Sequence, residues 1–515
     1  MKTLGTGCTV LLASLIAGCG GGSQKDSPTV PAPAPARGSL VGTPTVRLVL
    51  PTAALQTQLN SSLPSTTLVL LGTLKCDLIV LHIQYVTVGA ANESAQNSAA
   101  VMIPAGSNAA CSGPRPLLLY AHGSSTDRSF DISDLNNGSN AEGLIVAAQF
   151  AAQGYIVVAP NYGGYDTSTL AYHPYLQADT QSKEMIDALT AARSLLPIPL
   201  AAQSTDNGRL YLTGYSEGGY VALATQRAMQ SAGVAVTAAA PLSGPYAVGA
   251  LVDAIFAGQV NAGAPVYFTF LLTSYQKAYG NIYASTTDAY EAAYATGIDT
   301  LLPTAMTRSD LYSMHKLPQN ALFNSTPPDP AFAAQTPAQQ PANLARLFAA
   351  GFGSDNLIRN SYRLSYLLDS QANPDGGFPV ISSGQAAANP AHPLRQALKR
   401  NDLRDWVPTA PTLLCGGDGD PTVYWLNTDL EQKYWVAHGA SSTSFVVLDL
   451  DAAATAGDAY AGLKTGFSAL KTATAVAAVA GGATDLGAAA VIDAYHNTLV
   501  PPFCLAAVQS FFASH

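Results

Sequence analysis

The sequence predicts an α/β protein, a mostly parallel, doubly wound sheet of about eight strands carrying an inserted helical cap. Three observations predict it. Short continuous apolar runs at 117–120, 155–159, 210–213 and 234–240 have the make-up of strands buried on both faces. Helical stretches alternate with them: 182–196 sets Met185, Leu189 and Ala192 on one face, and 218–229 begins directly after a strand. The alternation lapses from about Pro245 to Leu403, where Tyr- and Ala-rich helical stretches such as 275–294 mix with Pro-rich loops such as 327–341. It resumes with strands at 412–415 and 445–450 and closes with a helix around 506–512.

In chain order, residues 1–18 read as a signal peptide, with Lys2 as its positive charge and an apolar stretch over 10–16. Its end, Ile16-Ala17-Gly18-Cys19, resembles a bacterial lipobox, which would make Cys19 a lipidated first residue and a membrane partner of the chain; an ordinary signal needs the same small residues. Residues 19–40 follow as a spacer, first Gly and Ser, then alternating Pro and Ala. The first part of the core spans 41–244 and opens with antiparallel strands, including 78–88 and 99–103. The cap spans 245–402, and the second part of the core 403–515.

Composition excludes some functions. Charged residues are 11% of the 515, with a net charge of −9 and no basic patch, which argues against a nucleic-acid partner. No span of about 20 apolar residues follows the signal, so the mature chain has no expected transmembrane helix. Cys76, Cys111, Cys415 and Cys504 remain after export and allow three pairings. Their order suggests Cys76 with Cys111 and Cys415 with Cys504; four buried thiols are the alternative. No cysteine or histidine spacing fits a metal site, and neither metal nor cofactor is expected.

Gly214-Tyr215-Ser216-Glu217-Gly218 fits G-x-S-x-G between a strand and a helix, where Gly214 and Gly218 relieve crowding at a sharp turn. Ser216 is the expected nucleophile and needs a base and an acid downstream. His496, just before the last helix, is the expected base; His438 reads as a surface turn and His515 as a frayed end. Asp420 follows a buried strand and is the expected acid, with Asp418 beside it as a turn former and second candidate. Two backbone N–H donors are expected for an oxyanion, from Glu217 and from Ser124, which follows the pair His122-Gly123. His122 reads as a support of that loop.

These residues resemble the α/β-hydrolases of the secreted lipase and esterase kind, similar to fungal secretory lipases and bacterial lipoprotein relatives. The resemblance extends to Asn161-Tyr162-Gly163-Gly164-Tyr165 with His173-Pro174-Tyr175-Leu176, and to Pro393-Leu394-Arg395 with Asn401-Asp402-Leu403. It implies an eight-stranded hydrolase sheet, a helical cap and cofactor-free hydrolysis of apolar acyl esters through an acyl-enzyme on Ser216. Two features depart from the group: the second aspartate of the acid loop and an Ala/Gly-rich stretch, 451–490. The alternatives are a serine peptidase on the same fold and a surface binding lipoprotein without turnover.

Overall fold

The computed structural model describes residues 35–136, 141–196, 204–441 and 443–515. The signal segment, Cys19 and the spacer as far as residue 34 lie outside the described residues. No helix among those described is long and apolar enough to cross a membrane.

The chain opens with β1 (Thr45–Leu50), α1 (Thr52–Ser62) and α2 (Ser65–Leu71), then the long antiparallel pair β2 (Asp77–Val88) and β3 (Ser94–Ala105). From there strands and helices alternate: β4 (Gly113–Ala121), α3 (Glu142–Gln149), β5 (Ile156–Pro160), α4 (Ala178–Ser194), β6 (Ser204–Tyr215), α5 (Glu217–Ser231) and β7 (Ala238–Leu242). A largely helical segment follows, with α6 (Val248–Phe256), α7 (Ala264–Tyr279), α8 (Asn360–Ala372) and α9 (Pro393–Asn401). The sheet is then completed by β8 (Thr412–Gly416), α10 (Leu426–Ala437) and β9 (Phe445–Asp449). The chain ends in α11 (Ala461–Ala480), α12 (Ala488–Ala494) and α13 (Val500–Ala513).

The nine strands lie in the order β1-β2-β3-β5-β4-β6-β7-β8-β9, with β1 to β3 antiparallel and every pair from β5 to β9 parallel. β5, β7 and β8 are buried along their whole length, which is why they read as unbroken apolar runs. Helices α4 and α5 pack together on the sheet, while α13 packs with α2 and α3. The 275–294 stretch is not one helix. α7 stops at Tyr279, before the αL residue Gly280, and only two four-residue helices follow, Thr286–Ala289 and Ala292–Ala295. The Ala/Gly-rich departure, by contrast, is ordered as α11 and α12.

Two buried arginines fasten the segment between β7 and β8 internally. Arg395 of α9 pairs with Asp253 of α6 at 2.8 Å and with Asp369 of α8 at 2.9 Å. Arg404 pairs with Asp375 and Asp402, each at 2.8 Å. Asn401 joins this segment to the sheet layer: its Oδ1 accepts from Ala178 N at the start of α4 (3.0 Å), and its carbonyl accepts from Tyr220 Oη in α5 (2.7 Å). The motifs around Arg395 and Asn401 are therefore joints between elements.

Removing one partner of a buried ion pair leaves the other charge unmatched, so Arg404→Ala should lower stability by about 3–5 kcal/mol in denaturant titration. A second expectation concerns pH. Burial, reinforced by the charge of Asp402, pushes Glu431 of α10 up to about 8. The folded chain therefore keeps a proton that the unfolded chain releases above about pH 4.5, and the stability this contributes is lost as pH rises towards 8. Glu431→Gln should flatten the fall in melting temperature between pH 4.5 and 8 and stabilise the protein at pH 9.

Candidate active site

Ser216 occupies the single-residue turn between β6 and α5, with φ 60° and ψ −123°, a conformation that strains a residue with a Cβ. The turn is held by Ser216 N donating to Leu242 O of β7 at 2.9 Å. Its neighbours have no room for side chains. A Cβ on Gly214 would lie 2.4 Å from Ala121 O, and one on Gly218 2.0 Å from the same oxygen. Both glycines are thus required by the approach of β4 to the turn.

His496 and Asp420 meet this serine. His496 Nε2 lies 2.7 Å from Ser216 Oγ, and Nδ1 lies 2.7 Å from Asp420 Oδ2. A carboxylate at Nδ1 keeps the proton there and leaves Nε2 free to accept from the hydroxyl. Asp420 is itself fixed, because its Oδ1 accepts from Thr422 N (2.9 Å) and Val423 N (3.0 Å). All three residues stand together although 280 positions separate the first from the last. The chain does not carry His496 on a loop, as the sequence suggests, but on a π-helical turn, Tyr495–Leu499, continuous with α12 and α13. The extra residue in such a turn re-aims a side chain without ending the helix. Asp418 is exposed, and its N–H donates to Asp449 Oδ1 at 3.0 Å. His438 is exposed at the end of α10, and His515 is exposed at the C-terminus.

Sequence reasoning missed the support of the acid loop. Asp451 accepts from Gly419 N at 2.9 Å and also from Tyr495 Oη and Lys471 Nζ. Burial would raise this carboxyl, but Lys471 and Tyr495 bring it below its ordinary value. Tyr495 precedes His496 directly, so one carboxylate ties the acid loop to the histidine turn. Both Asp451 and Lys471 come from the stretch that reads as a departure in sequence.

Glu217 follows Ser216 directly at the start of α5, and Ser124 shares a cleft with Ser216. Gly123 N–H is committed to Glu142 Oε1 at 3.1 Å, whereas Ser124 lines the cleft beside Ser216. Burial pushes Glu142 up to about 7 against the opposing hydrogen bonds from Tyr120 and Gly123. His122 lies between the carbonyls of Gly123 (2.7 Å) and Asn161 (3.1 Å) and stacks on Tyr162, and burial drives it down to about 4. It is a neutral support of the loop.

Two hollows meet at Ser216. One is a narrow apolar hollow walled by Tyr175, Val248, Leu251, Ile255, Phe268 and Leu271. The other, a wider cleft, is lined by Ser124, Glu142, Asn497 and Pro501, and Tyr267 borders both. Most tyrosines of the segment between β7 and β8 pack instead of lining a pocket; Tyr275, Tyr290 and Tyr366 are fully buried. Cys76 is bonded to Cys111, and Cys415 to Cys504. One His/carboxylate grouping among the described residues has ligand-like proximity, His82, Asp131 and Asp166. Its atoms already serve one another: His82 pairs with Asp166 at 2.7 Å, and Arg47 with Asp131 at 3.0 Å.

A model of the prolyl oligopeptidase family matches residues 145–246, about a fifth of the chain, including the Ser216 turn. No curated protein matches the sequence. Among solved structures, the rice cell wall degrading esterase LipA from Xanthomonas oryzae is 25% identical with a TM-score of 0.62, over 88% of this chain and 99% of that one. A mutant form of that esterase gives 24% and 0.66, over 93% and 99%. A Legionella pneumophila protein provisionally described as a hydrolase is 21% identical with a TM-score of 0.57, over 80% and 91%.

The crowding at the turn gives a direct test. Gly218→Ala must displace the Ala121 carbonyl or the serine itself, and a misplacement of about 1 Å costs on the order of 100-fold in rate. Labelling of Ser216 by a fluorophosphonate should slow by at least that factor, whereas Gly462→Ala, where a Cβ meets open space, should label normally.

Proposed function

We propose that this chain, a hydrolase with the α/β-hydrolase fold, is a serine carboxylic-ester hydrolase cleaving apolar acyl esters through an acyl-enzyme on Ser216. The observation that carries the reading is the unbroken relay from Asp420 through His496 to Ser216 at the mouth of an apolar hollow. His496 Nε2 takes the hydroxyl proton as Oγ attacks the ester carbonyl, and Asp420 stabilises the resulting imidazolium. The N–H groups of Glu217, at the first turn of α5, and of Ser124 receive the oxyanion. His496 then protonates the leaving alcohol. Water, deprotonated by the same nitrogen, attacks the acyl-enzyme, and the acid departs with Ser216 restored.

The hollow walled by Val248, Leu251, Ile255, Phe268 and Leu271 accepts the acyl chain, with the segment 245–402 acting as a cap over the site. The esterase likeness supports this reading at 25% identity. The prolyl oligopeptidase match supports a second one, peptide cleavage by the same relay. The two disulfides fit an oxidising compartment, and Ile16-Ala17-Gly18-Cys19 supports export with Cys19 as a lipid anchor.

Aryl esters from acetate to palmitate, with an aryl-amide control, test the proposal. Ester turnover is expected to fall by at least about 10,000-fold in Ser216→Ala, with labelling by a fluorophosphonate lost as well. Cleavage of the amide alone would establish the peptidase. An unlabelled wild-type Ser216 would establish a binding protein.

A further inference from the structure

Behind the Ser216 turn lies an ion pair that the relay does not use. His173 and Glu217 are both fully buried, and His173 Nε2 lies 2.5 Å from Glu217 Oε1. The other ring nitrogen, Nδ1, lies 3.0 Å from Gly163 O. Both partners accept, and the Glu217 carboxylate, unlike a second carbonyl, supplies the negative charge that favours a proton on each ring nitrogen. His122, placed against two carbonyls and no carboxylate, has no such reason to be charged.

Glu217 is the residue whose backbone N–H is assigned to the oxyanion, and its own side chain is an acid. Burial would raise that acid, but the charge and hydrogen bond of His173 hold it below its ordinary value, with the Ser124 hydroxyl adding in the same sense. Gln181 Nε2 donates to the same Oε1 at 2.7 Å. An unneutralised carboxylate on a donor residue would oppose the negative charge that grows on the substrate oxygen.

We propose that His173 is a positioning residue for the oxyanion hole: its imidazolium neutralises the Glu217 carboxylate and fixes that side chain beneath the backbone N–H that Glu217 offers to the oxyanion. The inference rests on the serine-hydrolase reading of the site. It also gives the segment His173-Pro174-Tyr175-Leu176 one purpose at two points, since Tyr175 and Leu176 line the acyl hollow while His173 supports the adjoining hole.

The test compares His173→Gln, Glu217→Gln and the double variant in the full-length protein, for aryl-ester kinetics and for the rate of fluorophosphonate labelling. His173→Gln should lower kcat at least about tenfold with KM within about twofold, since a single oxyanion donor is worth about 100- to 1000-fold. Adding Glu217→Gln removes the charge that needed neutralising, so the double variant should recover most of the lost kcat. A purely structural role would give a double variant no faster than His173→Gln, and that result, or wild-type kcat in His173→Gln, overturns the proposal. If His173→Gln does not fold, a double variant that folds and turns over near the wild-type rate supports it, and one that folds but stays slow overturns it. Wild type that labels at Ser216 without cleaving esters would defeat the ester reading alone, and the labelling rates would then decide the role of His173.

Discussion

Everything at the active site depends on how closely the end of β4 approaches the turn after β6. The Ala121 carbonyl sits where a side chain on Gly214 or Gly218 would have to go. That contact fixes two things at once. Ala121 leads directly into His122, Gly123 and Ser124, and Gly218 belongs to the first turn of α5, so the loop and the helix that frame the nucleophile are set against each other by backbone alone. Such a contact has no rotamer to change, which is what a preorganised anion site requires.

Charge is scarce in this chain, and several of its ion pairs are buried or half-buried. Arg395 and Arg404 lie buried between paired aspartates, Glu217 faces His173, and Asp451 faces Lys471. Arg395 joins α9 to α6 and α8, His173 joins the approach to α4 to α5, and Asp451 joins the acid loop to α11. Ion pairs of this kind add little net stability over apolar packing, but a displaced partner is costly, so they make alternative packings of the cap segment and the acid loop expensive. Specific geometry, more than bulk stability, is what they contribute.

The legibility of the site in sequence follows the range of each interaction. Ser216 is readable because the strand, the glycines and the helix that create its strain are its immediate neighbours. The buried strands are readable because burial on both faces leaves an unbroken apolar run, and β8 points to Asp420 for the same reason. His496 is readable only by elimination among eight histidines, and its π-helical setting is not, because one extra residue in a helical turn leaves no mark on periodicity. The roles of Glu142, Asp451 and Lys471 are invisible, since each exists only once distant segments have met. The stretch 451–490 looks like an unexplained departure for that reason: it supplies a strut whose other end is in the acid loop. The tyrosines near Tyr275 are ambiguous in sequence, since packing and pocket lining call for the same residue type.

The bond between Cys415 and Cys504 gives the distal half of the site a further property. It joins the strand that delivers Asp420 to the helix that follows His496, so acid and base lie on one covalent ring closed across 89 positions. A ring pinned at its ends can change along its circumference without carrying those ends apart. The helical hairpin of α11 and α12 sits on that circumference, so residues added or removed there would leave Asp420 and His496 tethered to each other.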